Sequence, residues 1–221
     1  MFFTNKIFSL SKLKLPVKLF SLLLISSLIT CLSGWLITQD IDRALTEFLQ
    51  YTFLLWSGIL SFFWVVKKNF YKAISIPIIY FFLLLDNSLS LHELFANSIF
   101  FNFYKKYFGF PLENYIRMDH AGEIIYWISI FIFLIGISLP GLKSNSGQIR
   151  KFIIKNFFFF SALAFFAIFI DVIGGYWQKW SLLDSSTFNW FINISLTIFE
   201  EIGETFVMSL TCIWLFGLNF E

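Results

Sequence analysis

The chain has 221 residues, 58% of them hydrophobic and only 14% charged, and its mean hydropathy is +0.76. A water-soluble domain carries about 25% charged residues, so this composition argues against an ordinary soluble enzyme. The net charge is only +2, and the basic residues gather between apolar runs, which points to a lipid bilayer as the partner and away from nucleic acid.

A spanning helix needs about 20 apolar residues. Six runs meet that length approximately, at 18–38, 48–66, 73–96, 121–141, 155–175 and 188–217. The first follows Lys6, Lys12, Lys14 and Lys18. It is longer than the core of a signal peptide and lacks an A-x-A-like cleavage site, so it reads as an uncleaved helix. Cys31 in the first run and Cys212 in the last read as small buried hydrophobes, not as a disulfide or a metal pair. The expected fold is therefore all-α: a single transmembrane domain over 1–221, built as a bundle of about six helices.

The loops orient the helices. TQDIDRALTE is acidic on balance, KKNFYK is basic, 97–120 is mixed, GLKSNSGQIRKFIIK is strongly basic, and YWQKWSLLDSSTF is nearly neutral. Basic loops alternate with the others, so the positive-inside rule places both termini in the cytoplasm. Trp177, Trp180 and Trp190 then belong to an outer aromatic belt. The aromatic stretch NSIFFNFYKKYFGFPLENYIRM is expected to form a short helix along the outer interface.

Carboxylates interrupt the later runs without an accompanying lysine or arginine. They are Asp86 and Glu93 in LLLDNSLSLHELF, with His92 between them, Asp171 in FFAIFIDVIGG, and Glu200, Glu201 and Glu204 in LTIFEEIGETFVM. A charge at the centre of a bilayer costs about 2.5–3.5 kcal/mol on insertion scales, so protons, a divalent metal or a cationic ligand must neutralise the set. Asp86, Ser90 and Glu93 fall at i, i+4 and i+7 and would form one helical stripe; Glu200 and Glu204 are one turn apart. The third, fifth and sixth helices are expected to pack together with these groups inward, because lipid cannot solvate them. The candidate ligand set is Asp86, His92, Glu93, Asp171, Glu200 and Glu204. Glu201 is the member most readily released, since three acids in five residues cannot all point one way. Gly203 would let a neighbouring helix approach closely. A second polar group, Asp119, His120 and Glu123, opens the fourth helix at its outer end and could close over the site.

Several motifs are missing. Ala96 stands where the second histidine of an H-E-x-x-H zinc motif would be, and the chain has neither a G-x-S-x-G elbow nor a P-loop. With two histidines, a three-histidine zinc site is impossible, and a carboxylate-rich site suits Mg, Mn, Fe or Zn alike.

LLLDNSLSLHE and FEEIGE together resemble a signature of uncharacterised bacterial polytopic membrane proteins, in which one helix carries a D-x(5)-H-E pattern and the last helix E-E-x-x-E. Asp86, His92 and Glu93 match the first; Glu200, Glu201 and Glu204 match the second. Asn87 stands where that pattern tends to have an acid. The resemblance implies a multi-pass protein of a bacterial inner membrane and supplies no chemistry. Three functions follow from the residues: a membrane-embedded, metal-dependent hydrolase, a proton- or metal-ion-coupled transporter, and a structural or assembly protein.

Overall fold

The computed structural model describes residues 41–108, 118–170, 172, 173, 177 and 187–220. The apolar run 18–38, Asp171 and Trp180 lie outside the described residues. Every regular element described is helical. Helix α1 is Ile41–Lys67, and a 3₁₀ turn, Tyr71–Ala73, leads into α2, Ser75–Leu89. A short helix α3, Leu91–Leu94, passes through a π-helical turn, Phe95–Phe100, into α4, Phe101–Phe108. Then come α5, Met118–Leu142, and α6, Gly147–Ala164, which runs into a second π-helical turn, Phe165–Ile170; α7 is Thr187–Phe220.

Local chemistry sets these boundaries. Helix α1 stops because Asn69 takes a left-handed conformation, φ 54°, which asparagine tolerates better than most residues. The amide of Phe70 then reaches back to the Val65 carbonyl at 2.8 Å, and that of Asn69 to Val66 at 3.1 Å. This is the Schellman pairing, and it satisfies carbonyls that the helix end would leave open. Pro77 sits in the first turn of α2, where an amide would have no partner within the helix. Ser146 caps α6 by accepting a hydrogen bond from the Ile149 amide.

Five of the described helical segments are long and apolar enough to cross a membrane: Glu47–Lys67, Tyr71–Leu89, Ala121–Leu142, Gly147–Ile170 and Ser195–Asn219. They correspond to the last five expected runs. Their outward faces are apolar, with Phe158 71% and Ile132 66% exposed. The polar groups have moved inward instead. Tyr80 on α2 donates to Asn156 Oδ1 on α6 at 2.5 Å, and Asn156 passes a hydrogen bond to the Phe152 carbonyl at 2.8 Å, all three residues being buried. Ser138 on α5 donates to Ser75 on α2 in the same way. A buried polar group left without such a partner costs about 1–3 kcal/mol.

The expected packing is met between the fifth and sixth runs, where α6 and its π turn lie against α7, while α2 packs chiefly on α1. Helix α1, not the α2–α6–α7 set, is the hub: its main neighbours are α2 on one side and α7 on the other. Helix α5 touches α2 and α6, while the second π turn and α6 lie against α7. The reason is visible in α1 itself. Phe53, Leu54, Ser57, Leu60, Ser61, Trp64 and Val65 are all buried, and this spacing forms one broad stripe along the helix, wide enough to meet a neighbour at each edge. Trp64 stacks on Phe152 of α6 with ring centres 4.0 Å apart.

The two ends of the bundle differ in charge. Lys67 Nζ donates to the Asn219 carbonyl at 2.7 Å, and Gly141 lies so close to Lys72 that an added Cβ would be 2.5 Å from its carbonyl oxygen. The end of α1, the start of α2, the α5–α6 connection and the end of α7 therefore share one basic end, with Lys67, Lys68, Lys72 and Lys143. Asp86 and His92 lie toward the opposite end. The two basic loops KKNFYK and GLKSNSGQIRKFIIK thus begin at the same end of the bundle.

Candidate functional site

Asp86 occupies the last turn of α2 and is fully buried, with 0% exposure. The helix stops four residues later because Ser90 adopts φ 47°, ψ 46°, in the left-handed region. The Ser90 amide still bonds to the Asp86 carbonyl, but the chain beyond it turns. That turn brings His92 back, so that Nδ1 lies 3.0 Å from Asp86 Oδ2. Tyr126 of α5 donates its hydroxyl to the other carboxylate oxygen at 2.6 Å. Both oxygens of Asp86 are thus engaged, one by a titratable ring and one by a phenol from another helix. Tyr51 of α1 donates to the Asn87 carbonyl at 3.3 Å, which ties the hub helix to the same turn.

Aromatic rings enclose His92. Its ring centre is 5.8 Å from that of Trp127 and 6.5 Å from that of Tyr126. The π turn after α3 packs on α5 at Gly122, where an added Cβ would fall 2.7 Å from Ala96 Cα. A left-handed residue and a π-helical turn next to one buried carboxylate are the local distortions that collect at functional sites.

His92 lies beyond the span that ends at Leu89. Burial pulls its pKa down, while the hydrogen bond and charge of Asp86, and then the charges of Glu123 and Glu93, push it up; the net result is above the ordinary 6.5. Of the polar group Asp119, His120 and Glu123, Glu123 is the member whose charge reaches His92. The side chains of Asp119 and His120 lie outside the described residues.

The remaining expected ligands divide. Glu93 is exposed; the left-handed turn at Ser90 breaks the stripe that would have carried it inward with Asp86. Glu200 and Glu204 are half-buried on α7. Glu201 accepts a hydrogen bond from Gln50 Nε2 of α1 at 3.2 Å, and Gln50 also reaches Thr205 Oγ1 at 3.4 Å. Glu201 therefore belongs to the α1–α7 contact. Gly203 has the close-approach role expected of it, since an added Cβ would be 2.0 Å from the Phe166 ring. Asp171 lies outside the described residues. Among the described residues, no three His, Cys, Asp or Glu side chains come together as a group that could hold a metal.

Three partners escape a reading of the sequence: Tyr126, Gln50 and Tyr51. Each is a single polar residue in or beside an apolar run, with no spacing motif to mark it. Only the register of α1 and α5 against α2 and α7 gives them their roles.

Comparison with protein-family models, with curated proteins and with solved structures finds no match to this chain, so its function must be argued from its own residues.

Proposed function

We propose that this is a multi-pass protein of a bacterial inner membrane, with both termini cytoplasmic, that takes up and releases protons at the Asp86–His92 pair as a proton-coupled transporter does. The observation that carries the reading is the fully buried Asp86 carboxylate, hydrogen-bonded to His92 and held from the opposite helix by Tyr126. Ionisable groups inside a membrane bundle mark proton and ion pathways. A histidine against a carboxylate gains or loses a proton near neutral pH, which lysine and arginine do not. Tyr126 keeps the carboxylate in place through either state of the ring. The five apolar helices and the basic end with Lys67, Lys68, Lys72 and Lys143 support the membrane orientation. A proton suits the pair better than a divalent metal, because both oxygens of Asp86 already accept hydrogen bonds and a protein metal site usually draws on three or more ligands.

Reconstitution into liposomes with a pH-sensitive dye inside tests the proposal. The wild type should acidify the lumen under an inward proton gradient, and Asp86→Asn and His92→Gln should each reduce that flux at least about tenfold while the protein remains folded. Flux in Asp86→Asn equal to wild type would refute the proton role. Tightly held, stoichiometric Mn or Zn in the purified protein would favour the metal-dependent hydrolase instead. Reporter fusions after Glu47 and after Lys143 should fall on opposite sides of the membrane; reporters on the same side would overturn the orientation.

A further inference from the structure

The packing of α5 fixes the depth of helix α4. Gly141 lies against Lys72 at the basic end, and Gly122 is about 28 Å back along the same helix at 1.5 Å per residue. The hydrocarbon core of a bilayer is about 30 Å thick. An added Cβ at Gly122 would be 2.7 Å from Ala96 Cα and 3.2 Å from the Phe100 ring, so the first π turn stands at the far boundary of that core. Helix α4 begins at the next residue, Phe101, which puts it at the level of the lipid headgroups. Successive helical residues turn by about 100°. Phe101, Phe103, Tyr104 and Tyr107 therefore fall on one side of α4, and Asn102, Lys105 and Lys106 on the other. Phe103 and Tyr107 are 54% and 64% exposed, with ring centres 4.8 Å apart. Lys105 and Lys106 are exposed as well, α4 contains no acid, and neither lysine forms an ion pair with a described residue. They stand at the end opposite Lys67, Lys68, Lys72 and Lys143, so the orientation rule does not account for them.

We infer that α4 binds anionic phospholipid at the bilayer surface, with Lys105 and Lys106 on the phosphate and the aromatic side sunk into the acyl boundary. A helix with one aromatic side and one basic side lies in the interface, held by buried apolar area and by attraction to anionic headgroups. Lysines at that level draw negative lipid toward them. A soluble anion or an acidic peptide would satisfy the lysines and leave the rings of Phe103 and Tyr107 in water, whereas a lipid engages both sides of the helix at once. Two lysines supply enrichment of a few-fold, not a tight site. The inference rests on the membrane reading of the apolar helices and is independent of proton uptake at Asp86 and His92.

The test places a photo-crosslinking amino acid on α4 of the full chain, as Phe103→p-benzoylphenylalanine, in nanodiscs of equal parts dioleoyl-phosphatidylglycerol and dioleoyl-phosphatidylcholine. The two lipids share their chains and differ in headgroup charge, and mass spectrometry of the α4 peptide counts each adduct. Phosphatidylglycerol adducts should exceed phosphatidylcholine adducts at least about threefold, and Lys105→Gln with Lys106→Gln should bring the ratio to about one. Melting curves verify that each protein is folded; if the Phe103 variant is not, the crosslinker moves to Tyr107. Equal adducts in the parent protein, or a ratio unchanged by the two lysine substitutions, would overturn the anionic selection while leaving the membrane reading intact. Adducts with no lipid, or only with a second copy of the chain, would overturn the placement of α4 at the bilayer surface.

Discussion

Asp86→Ala should lower the stability of the folded protein by about 3 kcal/mol, the loss expected when one partner of a buried pair is removed. The side chain is fully buried and accepts hydrogen bonds from two residues outside its own helix, His92 and Tyr126. Its removal leaves the Tyr126 hydroxyl facing a void and frees the turn that Ser90 begins. The loss should depend on pH, and the sign follows from His92. Its folded pKa is raised, so the stability it contributes is complete below about 6.5 and disappears as pH rises through the folded value. Asp86→Ala should therefore cost more at about pH 6 than at about pH 9. Asp86→Asn should keep the Tyr126 hydrogen bond and lose less, but it should share the flattened pH profile. Denaturant titrations in detergent at the two pH values measure this, and an Asp86→Ala loss under about 1 kcal/mol at both would show that the carboxylate does not anchor the site.

Gly122→Ala should damage the contact between α5 and the first π turn. A Cβ there would sit 2.7 Å from Ala96 Cα and 2.8 Å from Ala96 Cβ. The obstacle is partly backbone, so no rotamer change relieves it and the π turn must move off the helix. Overpacking of this kind costs about 1–3 kcal/mol, and the upper end is expected here. Gly136 on the same helix is the control, because nothing lies within 4 Å of its added Cβ. Gly136→Ala should be neutral or stabilising by up to about 1 kcal/mol, the difference in helix propensity. Pairing Gly122→Ala with Ala96→Gly should restore only part of the loss, since the Ala96 Cα remains in the way. Thermal melts of the four proteins check this order; equal melting temperatures for Gly122→Ala and Gly136→Ala would mean that the π turn does not pack on α5.

The helices were legible in the sequence because length and hydropathy define them. The run at 48–66 became Glu47–Lys67, and that at 121–141 became Ala121–Leu142. The third run shows where this stops. Hydropathy continues to 96, but the span ends at Leu89 because Ser90 turns left-handed, and no composition signal distinguishes that serine from others in apolar helices. The same turn explains both outcomes at the site. It brings His92 onto Asp86, as their place in one segment suggested, and it leaves Glu93 exposed where helical spacing put it inside. Glu201 could be set aside on geometry alone, yet its partner Gln50 could not be found, since that pairing depends on α1 lying against α7. The hub position of α1 was hidden for a related reason: its buried serines and aromatics resemble ordinary membrane-helix composition until the neighbours are known.

The most direct test of the central claim, that Asp86 and His92 form one proton-binding unit, is the titration of His92 by ¹⁵N NMR. The chain contains two histidines, so ¹⁵N-histidine labelling of a His120→Gln protein leaves a single ring to follow. The midpoint should lie above 6.5 in that protein and fall when Asp86→Asn is added, with the Nδ1 resonance losing the shift of a carboxylate-bonded proton. A midpoint at or below 6.5, unchanged by Asp86→Asn, would contradict the account.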